Sequence, residues 1–327
     1  MTALGAAVIL PALVAGIVIA MLRGSAWAPY LSDHPNARSL HDKPVPRIGG
    51  IGIAFAVLPL APLAQGAAQG GIAACAAGLF VVSLADDVRS LPIEVRLTAH
   101  AAAAGVVVLA ATAEGQPWPW GAWGALGVAI AIAWATNLYN FMDGADGLAG
   151  GMGTIGFAAL AIAAERAGQR DLAIACAAIA SACVGFLAHN FPPARVFLGD
   201  CGAIPLGFLA GAIGLHGTLR GAWPAWFVPL VFSPFVVDAT VTLSLRILRG
   251  ERFWIAHRDH GYQRLVLSGW SRRRLAFSAW MLMLAAAASA LAASEAGEME
   301  RCVILFVWLS AYVVLIAAVG WLTTRKA

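Results

Sequence analysis

Charge is what this chain has least of. Only 12% of its 327 residues are Asp, Glu, Lys or Arg, against about a quarter in soluble proteins. Most of the chain therefore cannot face water, which excludes an ordinary soluble enzyme and a disordered protein. A net charge of +4 spread over so few ions builds no broad basic face, so a nucleic-acid binder is excluded as well. Cysteine is scarce too. Cys75, Cys176, Cys183, Cys201 and Cys302 form no C-x-x-C pair and sit mainly in apolar runs, which excludes a disulfide scaffold and leaves packing as their task. Strict polar–apolar alternation is missing, which excludes a transmembrane β-barrel. There is no repeat of fixed period, and no low-complexity tract beyond Ala-rich helix.

What is present is apolar: 61% of residues belong to the set AVILMFWYC. A bilayer core of about 30 Å takes roughly 20 such residues as a helix. Candidate spans fall at about 3–22, 49–65, 70–85, 95–112, 119–137, 148–164, 171–190, 202–219, 224–245, 276–293 and 302–322. The expectation is an all-α polytopic membrane protein of about eleven transmembrane helices, forming a single domain over 1–327. The first run resembles a secretory signal, but Met1 to Gly5 carry no cation and Arg23 follows the run, so it is expected to be retained. Sorting Lys and Arg by alternate loops leaves 17 of the 21 on one side. By the positive-inside rule those loops, at about 23–48, 86–94, 138–147, 191–201 and 246–275, are cytoplasmic, with the N-terminus outside and the C-terminus inside.

With so little charge, each carboxylate is informative, because acids at or within spans are costly and usually functional. Asp86, Asp87, Asp143, Asp146, Asp200 and Asp238 all fall at helix ends on the expected cytoplasmic side. Acidic oxygens gathered with few cations call for a divalent cation, and Mg²⁺ in particular takes one or two carboxylates plus substrate phosphates. In Asn137-Leu138-Tyr139-Asn140-Phe141-Met142-Asp143-Gly144-Ala145-Asp146-Gly147, Asn140 and Asp143 share a helical face, and the glycines open the start of the next helix to an anion. Phe197-Leu198-Gly199-Asp200-Cys201-Gly202 presents one carboxylate in a tight turn, with Arg195 beside it. Two loops are rich in donors suited to phosphate: 36–50, with Arg38, His41, Lys43 and Arg47, and 256–264, with His257, Arg258, His260 and Arg264. Arg272, Arg273 and Arg274 read instead as a contact with anionic lipid.

The stretches NARSLHDKPVPRIGG, DDVRSLP, NLYNFMDGADGLAGG, FLGDCG and HRDHGYQR resemble, in order and spacing from about residue 30 to 275, the cytoplasmic loops of the polyprenyl-phosphate N-acetylhexosamine-1-phosphate transferases. The resemblance implies a bacterial inner-membrane enzyme with its active site on the cytoplasmic face. Such an enzyme moves an amino-sugar-1-phosphate from a UDP-sugar to polyprenyl (undecaprenyl) phosphate and releases UMP, with Mg²⁺ or Mn²⁺ required. It implies Asp200 as metal ligand, Asp86 and Asp87 on the lipid phosphate or metal, and Asn140 and Asp143 along the diphosphate. Asp146 and Phe197 are implied at uracil, with Lys43 on the nucleotide side. The histidine loop then contributes His257, Arg258 and His260 to the catalytic set. Arg47, Arg195, Tyr262, Gln263 and Arg264 are expected beside substrate. The histidine loop resembles the O-antigen and capsule-priming branch, which implies a 6-deoxy-N-acetylhexosamine, the alternative being UDP-GlcNAc. A homodimer is compatible with this reading.

Rival readings fail on residues. A transporter or flippase places its charges near the bilayer midplane in broken, repeated helices, whereas here they collect at one end. An intramembrane aspartyl protease needs a Gly at 197 and a Tyr-Asp pair; position 197 is Phe and none of the four tyrosines precedes Asp. A CDP-alcohol phosphotransferase needs Asp-Gly followed by Ala-Arg, and Asp146-Gly147 is followed by Leu148-Ala149.

Overall fold

The structure, a computed structural model, describes residues 2–35, 43–63, 67–115, 118–252 and 257–324. The chain is almost wholly helical: α1 (Ala3–Arg23), α2 (Gly49–Val57), α3 (Ala67–Arg89), α4 (Ile93–Ala113), α5 (Ala122–Phe141), α6 (Leu148–Arg166), α7 (Arg170–Asn190), α8 (Asp200–Leu219), α9 (Phe227–Val231), α10 (Ser233–Leu248), α11 (Gly261–Leu267), α12 (Arg272–Glu295) and α13 (Glu298–Thr324). A two-stranded antiparallel ribbon, β1 (Ser32–Asp33) with β2 (Val45–Pro46), precedes α2.

Among the described residues, nine helices are long and apolar enough to cross a membrane. Two of the eleven expected spans take another form. The stretch 49–65 is the short α2 continued by a 3-10 turn at Leu58–Leu63, where Pro59 and Pro62 withhold the donors an α-helix needs. The stretch 224–245 is split at Phe232 into α9 and α10, with Pro234 opening the second piece.

The helices nest around α6, α7 and α8, each about 67% buried, against 6% for α13 at the periphery. Close approach, rather than apolarity, drives helix association in lipid, and the centre shows it. A Cβ on Gly185 of α7 would lie 2.2 Å from the Ala12 carbonyl of α1. Pro11 interrupts α1 at the same level. There the Ser181 hydroxyl donates to the Val8 carbonyl (2.7 Å) and accepts from the Ala12 N–H (3.0 Å), taking the place of the broken backbone bond. A second crossing positions the site: Gly50 of α2 meets Gly202 in the first turn of α8, where a Cβ would come within 2.3 Å of backbone.

Candidate active site

Everything converges on the start of α8. Its first two amide donors have no partner within the helix, and Asp87, from the end of α3, supplies one. The two carboxylate oxygens accept the N–H groups of Asp200 (3.1 Å) and Cys201 (2.9 Å). Gly199 makes this possible. It stands at φ +77°, and a Cβ there would lie 2.9 Å from the Asp87 carboxylate. Asp87 is thus occupied in holding α8, with its side chain 1% exposed, whereas the Asp200 side chain is 27% exposed.

Asp86 is held in the α3–α4 turn. It accepts from the Leu91 N–H (2.6 Å) and pairs with Arg96 at 2.8 Å. Arg96 also reaches Asp200 at 3.6 Å, tying the two acids together. Arg47, leaving β2, pairs with Asp33 and stands 4.0 Å from Asp87. Asn140 and Asp143 close the group from the end of α5, and neither side chain has a hydrogen-bond partner among the described residues. Burial, then the negative charges of Asp200 and Asp87, hold the Asp143 carboxyl well above the usual range, with Arg47 acting against them.

Four carboxylates therefore share two arginines in the ion pairs named here, and Asp143 stands beside them without one. Among the described residues, no three His, Cys, Asp or Glu side chains form a ready-made metal cage. The donor set nevertheless fits Mg²⁺ or Mn²⁺, hard cations that take one or two carboxylates and complete their shell with substrate phosphate and water. Asp200, with a side chain 27% exposed against 1% for Asp87, is the more accessible of these two carboxylates.

The segment assigned to uracil lies beside α6. Asp146 is 4% exposed, accepts from the Ala194 N–H (3.0 Å) and lies 3.5 Å from Arg272. Phe197 is half-buried and fixed through its backbone, donating to the Pro46 carbonyl and accepting from Gly49. Lys43 is exposed just before β2. Arg195 is exposed and bonded to the Ala188 carbonyl near the end of α7. Of the loop 36–50, residues 36–42, including Arg38 and His41, lie outside the described residues, as does Ala256 of the second loop.

The histidine loop is anchored by Asp238 on α10. Its carboxylate accepts the N–H groups of Gly261 (2.8 Å) and Tyr262 (3.2 Å), the open start of α11, and lies 3.5 Å from His260. The His260 ring is stacked with Phe141 and Tyr262. Burial, followed by the charges of His260 and Arg246, lowers the His257 pKa. Gln263 accepts from the His260 N–H (3.3 Å), and Tyr262, 5% exposed, donates to the Phe141 carbonyl (3.0 Å). Arg264 bonds Thr323, and Arg258 is half-buried. Tyr262 and Arg264 thus join α11 to α5 and α13, while Gln263 caps the start of its own helix. A largely apolar cavity of about 760 Å³ opens beside them between α10, α12 and α13, with Phe235, Leu282, Tyr312 and Ile316 in its walls.

Arg96, one of the 17 cations on the expected cytoplasmic side, bridges two of the acids in the structure. A signal for it existed. The turn Ser90-Leu91-Pro92 is too short to let α4 leave, so a cation in its first turn must return to the acid pair. The caps supplied by Asp238 and Asn190 were missed as well. Asn190 accepts the Gly147 N–H at the start of α6 (2.8 Å) and donates to the Val196 carbonyl (2.9 Å).

Comparison with known proteins gives the same direction. The family profile of glycosyl transferase family 4 matches residues 70–218. A probable undecaprenyl-phosphate N-acetylglucosaminyl 1-phosphate transferase of Bacillus subtilis is 26% identical over 313 residues, covering 90% of this chain and 86% of the relative. The phospho-N-acetylmuramoyl-pentapeptide-transferases of Levilactobacillus brevis and Halalkalibacterium halodurans are 31% and 34% identical. These matches cover 53% and 48% of this chain, and the chain spans about half the length of each (52% and 47%).

Proposed function

Because the chain is a member of glycosyl transferase family 4, we propose that it transfers an N-acetylamino-sugar-1-phosphate from a UDP-sugar to polyprenyl phosphate in a bacterial inner membrane, with the site on the cytoplasmic face. The observation that carries this is the meeting of Asp86, Asp87, Asp143 and Asp200 with Arg96 and Arg47 at the first turn of α8. Four acids from three separate stretches of the sequence make an array suited to a diphosphate only with a cation between. Asp200, with Asp87 behind it, would hold Mg²⁺ or Mn²⁺, which when bound neutralises the diphosphate and draws charge from the β-phosphorus.

The protein's own work is placement. A phosphate oxygen of the polyprenyl phosphate attacks the β-phosphorus, the bond to the UMP oxygen breaks, and UMP leaves. A phosphate monoester has a second pKa of about 6, so the attacking group is already anionic at neutral pH and needs no strong base. Asp86 and Asp87 keep Arg96 and α8 in register. Asn140 and Asp143 line the diphosphate, while Lys43, Phe197 and Asp146 address the nucleotide. His257, Arg258 and His260 meet phosphate from the opposite side. The apolar cavity along α10 adjoins that loop and suits an acceptor whose tail stays in the membrane.

The favoured sugar is a 6-deoxy-N-acetylhexosamine, from the form of the histidine loop, in a pathway of O-antigen or capsule type. UDP-GlcNAc is the second reading, favoured by the name of the Bacillus subtilis relative. Purified protein with Mg²⁺, undecaprenyl phosphate and a panel of UDP-GlcNAc, UDP-GalNAc and UDP-activated fucosamine and quinovosamine derivatives should release UMP with one of them. Silence across the panel would sink the proposal. Asp200→Asn should abolish release while leaving the protein folded, because the cap on α8 uses the Asp200 amide and not its carboxylate.

A further inference from the structure

Arg246 lies on α10, 9% exposed, four residues after Thr242 and eight after Asp238, so all three share a helix face. A guanidinium so buried needs a counter-charge, and this one has two. It pairs with Glu251 at 2.8 Å and with Asp259. These acids stand at the two ends of one loop, Glu251 just after α10 and Asp259 just before α11. α10 ends in a Schellman turn, with Gly250 at φ +70° and the Glu251 N–H bonded to the carbonyl of Arg246 itself (2.9 Å). Arg246 therefore holds Glu251 at two points and Asp259 at a third, and without it the two carboxylates would repel each other across the neck of the loop.

What the neck holds is the histidine pair. The Asp259 N–H donates to His257 Nδ1 (3.3 Å), leaving Nε2 as the proton-bearing nitrogen. Two residues on, Gly261 and Tyr262 are held by Asp238, whose carboxylate lies 3.5 Å from His260. His257 and His260, with ring centres 4.9 Å apart, thus hang between two anchors on one helix face. We propose that Arg246 is a positioning residue, clasping Asp259 to Glu251 across the neck of the loop so that His257 and His260 face the substrate phosphates together. The proposal rests on the phosphoryl-transfer reading and adds to it a residue in the wall of the apolar cavity whose guanidinium is taken up by two carboxylates of the loop.

The test uses the full chain in detergent or bilayer. Arg246→Met should lower kcat for UMP release by about tenfold or more while KM for the UDP-sugar stays within about threefold, since orientation and not ground-state binding is lost. Arg246→Lys, still able to bridge two carboxylates, should restore part of the rate. Asp259→Asn, at a side chain 45% exposed and so tolerated by the fold, should reproduce the loss, and the double variant should fall no further than either single one. Hydrogen exchange supplies a readout independent of turnover. Amides of 257–263 should exchange faster in Arg246→Met and Asp259→Asn, with 199–204 unchanged. Unaltered exchange at 257–263, or losses that multiply in the double variant, overturns the clasp. A wild-type protein that releases no UMP with any sugar nucleotide overturns the reaction instead, and exchange still judges the clasp.

Discussion

Gly50→Ala adds one methyl group where α2 crosses α8. Its Cβ would stand 2.3 Å from the Gly202 nitrogen, 2.5 Å from the Gly202 Cα and 2.7 Å from the Cys201 carbonyl carbon. Ordinary contact begins at 3.4 Å, so the shortest approach falls short by about 1.1 Å. All three obstructing atoms are backbone, so no side chain can turn aside, and the helices must part by about that distance. The displaced segment is 199–202, which carries the Asp200 carboxylate and gives its amides to Asp87. Overpacking of this kind costs about 1–3 kcal/mol in stability, which a chain this size survives. A misplacement of about 1 Å at a reacting centre costs about 100-fold in rate. UMP release should therefore drop by roughly two orders of magnitude in protein that still folds and elutes as wild type. Gly78→Ala in α3 makes the same chemical change where nothing lies within 4 Å and should leave rate and thermal midpoint intact. Turnover of Gly50→Ala within about threefold of wild type would refute the claim that this crossing sets the site, because the predicted loss is about 100-fold.

Other substitutions probe single links. Arg96→Met removes the cation between Asp86 and Asp200. Discounting for a side chain 37% exposed, the loss of stability should be about 1–3 kcal/mol, read by thermal unfolding, with UMP release sharply reduced. Asp143→Asn should raise the thermal midpoint of substrate-free protein at pH 7 while lowering turnover. The folded-state pKa of Asp143 lies above its ordinary 3.8, so the stability it contributes is full below that value and is lost as pH rises through the folded pKa. The gain from Asn should thus grow from acid toward neutral pH, and a midpoint that falls instead would contradict the assigned environment. Asn190→Ala strands the Gly147 N–H and the Val196 carbonyl, both of which it bonds within the core. A loss of about 2–4 kcal/mol is expected by thermal unfolding.

The spans could be read directly because composition alone decides them: nine stretches run uninterrupted to about twenty residues. The two that changed form did so through proline, at Pro59 and Pro62 in one case and Pro234 in the other, which apolarity counts ignore. The acids were legible for the opposite reason, their rarity. Their partners were not. Whether Arg96 marks a membrane face or bridges two carboxylates depends on which helix ends are neighbours. Asp87 was expected at lipid phosphate or metal, and the structure first gives both its oxygens to backbone amides 113 and 114 residues away, a separation that no local pattern reveals. Tyr262 reads from its loop as a substrate contact, and in the structure α11 packs on α13, α12 and α10 and the Tyr262 hydroxyl reaches inward to the Phe141 carbonyl.

The borrowed caps divide the chain in a way that its span count does not. Asn190 serves α6 and Asp87 serves α8, all four segments preceding the turn at Gly221, while Asp238 serves α11 wholly after it. Each side of that turn thus completes its own helix starts. Between them runs a seam whose bonds among the described residues include Tyr262 to the Phe141 carbonyl, Arg272 to Asp146, Arg273 to the Pro192 carbonyl, Trp280 to the Gly147 carbonyl, Trp134 to the Thr240 hydroxyl and Arg166 to Glu295. As the chain leaves the ribosome, the acid-bearing half can finish its terminal wiring before the histidine-bearing half exists. A break at Gly221 would leave two fragments with these three borrowed helix-start caps still in place.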